Sequence, residues 1–244
     1  VPPLESGRVV FVNIPAFELW AFDDVATQAP ALQMRVVVGR AMRTQTPVFT
    51  GAMKTVVFAP YWNVPTSITR KEIVPKLRSN PGYLAAQDME IVSGGIPLPP
   101  SPGNIAKLSS GGAQLRQRPG PKNALGRVKF LFPNSNNVYL HDTPAQSVFD
   151  KTRRDFSHGC IRLSQPAALA GWVLRDEGWD AARVDQEMAR TTEKAVPLQQ
   201  PIPVVIFYTT VIARRDGTIA FFEDVYGHDK ALERALAAGY PYPP

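Results

Sequence analysis

The residues best suited to chemistry in this chain are one cysteine and one histidine. Cys160 is the only cysteine among 244 residues and lies in the run Ser157-His158-Gly159-Cys160-Ile161-Arg162, and His141 lies 19 residues upstream of it. A thiol with a reference pKa of about 8.5 is only a few per cent ionised at pH 7, so a cysteine nucleophile needs a base. An imidazole can accept the thiol proton or, as a cation, stabilise the thiolate. We therefore predict that Cys160 is a nucleophile and His141 its base.

The neighbours of the cysteine suit supporting roles. Gly159 permits close backbone approach, so the N–H groups of Gly159 and Cys160 are predicted to hold a developing oxyanion. Arg162 is expected either to orient the loop or to pair with a substrate carboxylate. Two other interpretations compete with catalysis. A lone cysteine is often a small buried hydrophobe, and Cys160, His158 and His141 could formally bind a metal. His158 and Cys160 are only two residues apart. That spacing falls outside the usual zinc patterns, so no metal is predicted.

The bulk composition is that of a globular protein. At 26.8 kDa and 44% hydrophobic residues, the chain can bury a core as one large domain or a domain with an insertion. Its apolar runs are shorter than the roughly 18 residues that a membrane span requires. The chain begins Val1-Pro2-Pro3 without an initiator methionine or signal peptide, so we expect a fragment of a longer protein.

The net charge of +6 is unevenly distributed. Acidic residues are absent between Asp24 and Glu72 and again between Glu90 and Asp142. The second gap contains Lys107, Arg116, Arg118, Lys122, Arg127 and Lys129. Such a field favours an anionic partner: nucleic acid, an anionic membrane surface or a polymer carrying carboxylates. Nucleic acid is the least favoured of these partners, because base-stacking aromatic residues do not alternate with the cations. A basic surface that binds no specific ligand is as well supported as an anionic partner.

Short runs rich in β-branched and aromatic residues predict strands. They span residues 8–13, 17–22, 33–39, 54–58, 128–132, 137–141 and 203–211. The last run is continuously apolar, which predicts a central strand buried on both faces, and the Asp216-Gly217 turn after it predicts a hairpin. Tyr139 and His141 are two residues apart on a strand, so they are expected to share one face.

A helix is predicted in the segment that follows the first strands. Thr69 and Glu72 have the spacing of a capping box, so the helix should begin at Thr69. Pro75 is expected to kink or split it, and Asn80-Pro81-Gly82 to end it.

Glycine and proline dominate residues 94–121, a long stretch for a structureless connection in a compact domain. We interpret residues 60–126 as an inserted lid over the site, with a surface excursion as the alternative. After the cysteine, Ser164 is predicted to cap a helix over 165–177 that Gly178 ends, and Asp180 to cap another.

These residues resemble a known family. The run Ser157-His158-Gly159-Cys160-Ile161-Arg162, preceded by His141, resembles the signature of the L,D-transpeptidases, whose catalytic domain is called YkuD. Three further stretches are similar to the long, lid-bearing, YcbB-like members. They are Ala59-Pro60-Tyr61-Trp62-Asn63-Val64-Pro65-Thr66-Ser67-Ile68, Asn137-Val138-Tyr139-Leu140-His141-Asp142-Thr143-Pro144 and Asp224-Val225-Tyr226-Gly227.

The resemblance implies a fold and a domain division. The fold would be β-rich α+β, a YkuD-like catalytic domain of packed mixed β-sheets with flanking helices and an inserted lid subdomain. Residues 1–59 and 127–244 would form the L,D-transpeptidase catalytic domain. Residues 60–126 would form the lid.

The resemblance also implies a reaction. Cys160 would attack the bond between diaminopimelate and D-alanine in a peptidoglycan tetrapeptide stem and form a thioester. The amine of an acceptor stem would resolve the thioester into a 3→3 cross-link. His141 would move the protons, with its ring oriented by the main chain of Asp142 or a neighbour. No cofactor is implied, and carbapenem β-lactams would acylate the same cysteine.

Other residues receive roles from the same resemblance. Trp62 and Tyr139 would be walls of the substrate site, with Ser157 beside them, and the basic lid would meet the carboxylates of the stem. His158 would either tune the thiolate or hold the loop, and the supporting role is favoured. His228 is expected to be structural.

The alternatives are a cell-wall cysteine peptidase or amidase, which hydrolyses the thioester, and an inactive peptidoglycan-binding module. The expected location is the periplasm or cell envelope. There a segment outside this fragment would anchor the protein to the membrane and make its only membrane contact.

Overall fold

The computed structural model describes residues 6–27, 29–80, 82–214 and 216–239, and β-strands dominate them. The strands are β1 (Val9–Asn13), β2 (Glu18–Phe22), β3 (Leu32–Gly39), β4 (Phe49–Phe58), β5 (Trp62–Asn63), β6 (Met89–Ser93), β7 (Ile96–Leu98), β8 (Gln114–Gln117), β9 (Val128–Leu131), β10 (Leu140–His141), β11 (Asp155–Ser157), β12 (Ile161–Leu163), β13 (Lys194–Phe207), β14 (Val211–Ala213) and β15 (Ile219–Phe221).

Within the described residues, nine strands form one sheet in the order β11-β3-β12-β10-β9-β4-β13-β1-β2. Strand β3 also pairs with β2, so the eight strands other than β11 close into a ring. The pairing is mixed: β1 is parallel to β13 and antiparallel to β2, and β10 is parallel to β12. The predicted β-rich α+β fold with mixed strand pairing is confirmed. Among the described sheets, the largest closes on itself.

Two strand predictions need correction. Strand β13 is central, between β4 and β1, but Val204 and Ile206 are buried whereas Val205 and Phe207 are only half-buried. Its burial therefore alternates along the strand, and the prediction of two equally buried faces is wrong. Strand β10 is shorter than the predicted 137–141, because Asn137 has the left-handed φ of 54° and takes that position out of an extended conformation.

The α-helices are α1 (Thr66–Ile68), α2 (Val74–Ser79), α3 (Tyr83–Ala86), α4 (Pro102–Ser110), α5 (Pro166–Leu174), α6 (Ala181–Met188) and α7 (His228–Ala237). Short 3₁₀ turns occupy Val25–Thr27, Gln146–Asp150 and Arg175–Glu177, and Thr69–Ile73 is a π-helix.

The helices after the cysteine follow the sequence closely. Gly178 ends the first of them in the left-handed conformation, and the Asp180 carboxylate accepts the Arg183 N–H at 2.8 Å, as its predicted N-cap role requires. The Ser164 cap is wrong. Helix α5 begins at Pro166 with Gln165 as its N-cap residue, because proline suits the first turn, where its missing N–H has no acceptor.

The predicted capping box is also wrong. The chain is already helical at Thr66, so the Thr69 N–H is satisfied by the Pro65 carbonyl and the Thr69 hydroxyl donates to the Val64 carbonyl at 3.4 Å. Pro75 does split the helical segment: the π-helix Thr69–Ile73 ends directly before α2, in whose first turn the proline lies. The helix ends at Ser79, as predicted, while Pro81 and Arg215 lie outside the described residues.

The glycine- and proline-rich stretch 94–121 is not a structureless connection. It contains β7, α4 and β8, and its glycines and prolines mark their ends. Pro102 lies in the first turn of α4, the Ser101 hydroxyl accepts the Asn104 N–H at 3.3 Å, and Gly111 ends the helix with φ of 89°. Glycines and prolines in this stretch therefore indicated the ends of short helices and strands.

Residues 60–126, hereafter the lid segment, carry a sheet and a core of their own. Strands β5, β8, β6 and β7 form a four-stranded antiparallel sheet in that order. Its core includes Val64, Ile73, Leu77, Leu84, Ile91, Leu108 and Leu115. The buried Asn123 side chain donates to the Pro60 carbonyl at 2.9 Å and so ties the two ends of the segment together. Whether this segment moves as a lid stays a prediction. Across the described residues, the helices are all too short or too polar to span a bilayer.

Candidate active site

The parallel pairing of β10 with β12 brings the motif residues to one face. Leu140 is opposite Ile161, and His141 is opposite Arg162. Because side chains alternate along a strand, the fully buried Leu140 and Ile161 point into the core. The other face therefore carries Tyr139, His141, Cys160 and Arg162, and all four line one cleft of about 750 Å³. Residues 19 apart in the sequence line the same cleft because two short strands lie side by side.

Cys160 is half-buried at the edge of this cleft. Its sulfur lies 3.6 Å from the Asn137 carbonyl oxygen, to which the thiol donates. Burial raises the pKa of the thiol, and a hydrogen bond from the Tyr139 main-chain N–H acts in the opposite direction. The resting cysteine is therefore a neutral thiol at neutral pH. It needs a base at the moment of reaction.

His141 has the properties of that base. It is only 4% exposed, and its Nδ1 lies 2.5 Å from the Asp142 carbonyl oxygen. A carbonyl can only accept, so Nδ1 carries the hydrogen and Nε2 keeps its lone pair. Burial, together with the nearby Arg162 cation, lowers the pKa of the imidazole to about 3, so the ring is neutral. The predicted orientation of the ring by a main-chain carbonyl corresponds to what the structure shows at Asp142.

Asp142 contributes its main chain to the histidine and its side chain to the surrounding turn. Its carboxylate accepts the main-chain N–H of Arg127 at 2.8 Å and of Thr143 at 2.6 Å. Burial raises the pKa of this carboxyl. Gly126 packs so closely that a Cβ there would lie 2.3 Å from the carboxylate. A glycine at the end of the lid segment thus leaves room for the residue that orients the base.

The loop before the nucleophile differs from the prediction in two ways. Ser157 is only 2% exposed, and its hydroxyl donates to the Cys160 carbonyl at 2.6 Å and accepts the Gly159 N–H at 3.1 Å. Ser157 therefore holds the loop from inside and does not offer its hydroxyl to a substrate. Because the single N–H of Gly159 already has a partner, that group is not free for an oxyanion. Gly159 is needed for its φ of 114°, which residues with a side chain rarely adopt.

Asn134 and Asn137, which were predicted from the sequence only as residues of a turn and of a strand, shape the wall opposite the loop. The Asn134 amide donates to the carbonyls of Phe132 and Val138, and its oxygen accepts the N–H groups of Asn136 and Val138. It therefore fixes the turn that presents Asn137, whose carbonyl accepts from the thiol, to Cys160. The cluster of turn-forming residues at 133–136 was the available signal.

Tyr139 and Arg162 border the sulfur. The Tyr139 ring lies 5.7 Å from the His141 ring, and burial and the neighbouring Cys160 raise the pKa of its hydroxyl. Arg162 Nε belongs to the buried side-chain atoms that lack a hydrogen-bond partner among the described residues. Burial, with the nearby Arg40, lowers the pKa of the Arg162 guanidinium. Arg162 is half-buried and lines the cleft, where a guanidinium is suited to an anionic ligand group.

His158 contacts the lid segment instead of the nucleophile. Its Nε2 lies 2.8 Å from the Glu72 carboxylate, which belongs to the π-helix Thr69–Ile73. A π-turn shifts the following side chains on a helix surface, and such turns are frequent at functional sites. The ring therefore joins the nucleophile loop to the lid segment, in agreement with the favoured supporting role. His228 packs on Tyr208 with ring centroids 4.4 Å apart.

The lid segment forms the far wall of the cleft. Trp62, Lys76, Tyr83 and Lys122 line it there. The basic stretch identified in the sequence is partly neutralised. Three of its six cations have acidic partners in the ion pairs Arg116–Glu90, Lys122–Asp88 and Lys129–Glu193. Near the sulfur, the described residues contain no cluster of three or more histidine, cysteine or carboxylate side chains that could hold a metal.

Comparison with known proteins relates the sequence of this chain to one family. The profile of one family, described as the L,D-transpeptidase catalytic domain (YkuD), matches residues 7–206. A curated protein of Haemophilus influenzae, whose name assigns it provisionally to the L,D-transpeptidases, is 31% identical over 237 residues. That match covers 96% of this chain and 47% of the other, so the chain spans about half the length of this relative.

Solved L,D-transpeptidases are more distant. The structure from Mycobacterium smegmatis is 15% identical with a TM-score of 0.40, and the match covers 83% of this chain and 59% of that one. The catalytic domain of the E. faecium enzyme is 15% identical with a TM-score of 0.34, and the match covers 82% and 96% of the two chains. Since both TM-scores are low, the family assignment rests on the sequence matches.

Proposed function

The chain belongs to the family of L,D-transpeptidase catalytic domains, and from that premise we propose that it cross-links peptidoglycan with Cys160 as nucleophile. One observation carries the proposal: Cys160 and His141 share one face of adjacent strands, in a cleft, with His141 neutral and its Nε2 lone pair available. This arrangement can deprotonate a thiol and later return the proton. The family itself is one of acyl-transferring enzymes.

The first half of the reaction would be acylation. The Cys160 sulfur attacks the carbonyl carbon between diaminopimelate and the terminal D-alanine of a tetrapeptide stem, while His141 Nε2 takes the thiol proton. The tetrahedral intermediate collapses, the C–N bond breaks, and D-alanine leaves as an amine with the proton from the imidazolium. The lowered pKa of His141, about 3, makes the resting ring a weak base and its imidazolium a strong acid, so the proton that it takes from the thiol is passed readily to the departing nitrogen.

The second half would be transfer. The side-chain amine of a diaminopimelate on another stem attacks the thioester, His141 accepts a proton from the attacking nitrogen, and the thiol leaves protonated. The product is a 3→3 cross-link. Water in place of the amine would give a shortened stem, which is the reaction of a peptidase or amidase.

The cleft suits the charge of stem peptides, which carry several carboxylates. Arg162 lines the cleft beside the nucleophile, and Lys76 is on the lid-segment wall. We assign the stem carboxylates to these cations, and Trp62 and Tyr139 to the walls. Carbapenems also carry a carboxylate and a strained amide, so the same thiol would open their ring and remain acylated.

The cellular setting belongs to the proposal as well. Peptidoglycan is assembled outside the cytoplasmic membrane, so the enzyme would work in the periplasm or cell envelope.

Product analysis tests the proposal. The purified chain is incubated with a defined disaccharide-tetrapeptide, and the products are separated and weighed by mass spectrometry. We expect free D-alanine and a cross-linked dimer from the unaltered chain and neither from Cys160→Ala. D-alanine release with shortened stems and no dimer would replace transfer by hydrolysis. No turnover and no carbapenem adduct would leave a binding module as the better description.

A further inference from the structure

A buried threonine in the loop after β3 is hydrogen-bonded to the nucleophile loop. Thr46 is only 2% exposed, and its hydroxyl donates to the Gly159 carbonyl at 2.8 Å. The same hydroxyl accepts the Gly39 N–H at 2.9 Å. Thr46 therefore links the end of β3 to the residue that directly precedes Cys160.

A tyrosine from the C-terminal part of the chain holds this threonine in place. The Tyr226 hydroxyl accepts the Thr46 N–H at 3.1 Å and donates to the Gly39 carbonyl at 2.7 Å. The Tyr226 N–H in turn donates to the Tyr208 hydroxyl at 2.9 Å, and the two rings are stacked. Tyr208 itself donates to Asp224 at 2.6 Å. The hydroxyl of Thr46 thus has a fixed position.

The Thr46 hydroxyl acts on the peptide unit that joins Gly159 to Cys160. A peptide unit is planar, so its carbonyl and its N–H point in opposite directions. Anchoring the Gly159 carbonyl therefore also sets the direction of the Cys160 N–H. The anchor matters here because Gly159, at φ of 114°, lacks the steric limits that would fix this peptide by itself.

The Cys160 N–H is also the donor that the loop has left for an oxyanion. The Gly159 N–H is already bound to the Ser157 hydroxyl at 3.1 Å. The N–H of the nucleophile itself lies next to the carbon that the sulfur attacks. Its direction then affects the stabilisation of a tetrahedral intermediate, to which a single donor can contribute about 100- to 1000-fold in rate.

We infer that Thr46 is a positioning residue for acyl transfer, which through the Gly159–Cys160 peptide aims the Cys160 N–H at the developing oxyanion. Tyr226 holds Thr46 in the position that this role requires. The inference rests on the proposed function, since it concerns an intermediate that forms only when the thiol attacks a carbonyl. It assigns the orientation of the oxyanion donor to two residues outside the Ser157–Arg162 motif.

Other hydrogen bonds hold the loop, so loss of the Thr46 hydroxyl should not release it. The Arg40 N–H and the Thr44 hydroxyl both donate to the Ser157 carbonyl, at 3.1 and 3.0 Å. Thr44→Val therefore makes a matched control: it removes one hydrogen bond to the same loop, but not one to the Gly159–Cys160 peptide.

The experiment compares two reactions of the same thiol. Acylation by a carbapenem or by the tetrapeptide forms an oxyanion, whereas alkylation by iodoacetamide forms a carbon–sulfur bond with loss of iodide and no oxyanion. For Thr46→Val we expect acylation and kcat to fall about 10- to 100-fold. Alkylation should stay within about twofold of the unaltered chain, because the thiol and its base are untouched. Thr46→Ser should restore acylation, Tyr226→Phe should lower it partly, and Thr44→Val should leave it near that of the unaltered chain.

The outcomes separate the inference from the function it rests on. Equal losses of acylation and alkylation in Thr46→Val would show general damage to the loop and overturn the inference, as would unchanged acylation. Equal losses in Thr44→Val and Thr46→Val would also overturn it. If the unaltered chain is alkylated but never acylated or turned over, the proposed function fails and the inference fails with it.

Discussion

Replacing His141 with glutamine should make the protein less sensitive to acid. The folded state lowers the pKa of this imidazole to about 3, from an ordinary value of 6.5. Between these two pH values the unfolded chain binds a proton that the folded chain does not, so the free energy of unfolding falls as the pH falls. The free energy of unfolding falls by about 1.4 kcal/mol for each pH unit below 6.5. From pH 7 to about pH 4.5 the loss amounts to about 2–3 kcal/mol.

Urea unfolding at a series of pH values measures this cost. His141→Gln keeps a hydrogen-bonding side chain but cannot titrate, so its stability should decline by about 2–3 kcal/mol less than that of the unaltered protein over this range. Asp142, whose own pKa is raised by burial, is present in both proteins, so its contribution largely cancels in the comparison. Parallel pH dependences in the two proteins would refute the assignment of a buried, neutral base.

Three other substitutions test neighbouring parts of the site. Glu72→Gln removes the carboxylate charge from the pair with His158. We expect amide hydrogen exchange in the lid segment to accelerate several-fold. The urea midpoint should barely move, because an exposed ion pair contributes only about 0–1 kcal/mol to stability. A shift of the urea midpoint would show instead that the pair contributes to the stability of the whole fold. Gly39→Ala would place a Cβ 1.9 Å from the Thr44 carbonyl oxygen. Thermal unfolding should therefore show a free energy of unfolding lower by about 3 kcal/mol or more. A stability near that of the unaltered protein would contradict this close packing. Arg162→Lys keeps the positive charge but loses the guanidinium fork, so the KM for the tetrapeptide should rise about tenfold. Iodoacetamide alkylation of the thiol should not change. An unchanged KM would show that Arg162 does not bind a substrate carboxylate.

The sequence indicated the reactive pair because its signals were local. A single cysteine in a distinctive run, and a histidine at the end of a predicted strand, were enough to nominate Cys160 and His141. Their placement in one cleft required only that β10 and β12 be neighbours, as strands of one sheet often are. The β-rich fold class likewise followed from residue composition along short runs.

The supporting contacts were beyond reach because they join distant parts of the chain. Glu72 reads as a helix-capping residue from its spacing to Thr69, yet it meets His158, 86 residues away. Thr46 reads as an unremarkable loop residue, yet it meets Gly159. Such pairings depend on how separate elements pack, and spacing along the chain carries no trace of them. The predicted oxyanion role of the Gly159 N–H conflicts with a local contact instead, because this N–H donates to the side chain of Ser157, two residues before it.

The central claim is that the Cys160 sulfur carries an acyl group from a stem peptide. The most direct measurement is the intact mass of the protein, quenched in acid during turnover of the tetrapeptide, followed by peptide mapping of the adduct. The account predicts an adduct of the stem without its terminal D-alanine, confined to the peptide that contains Cys160 and absent from Cys160→Ala. An adduct on another residue, or turnover that persists in Cys160→Ala, would contradict it.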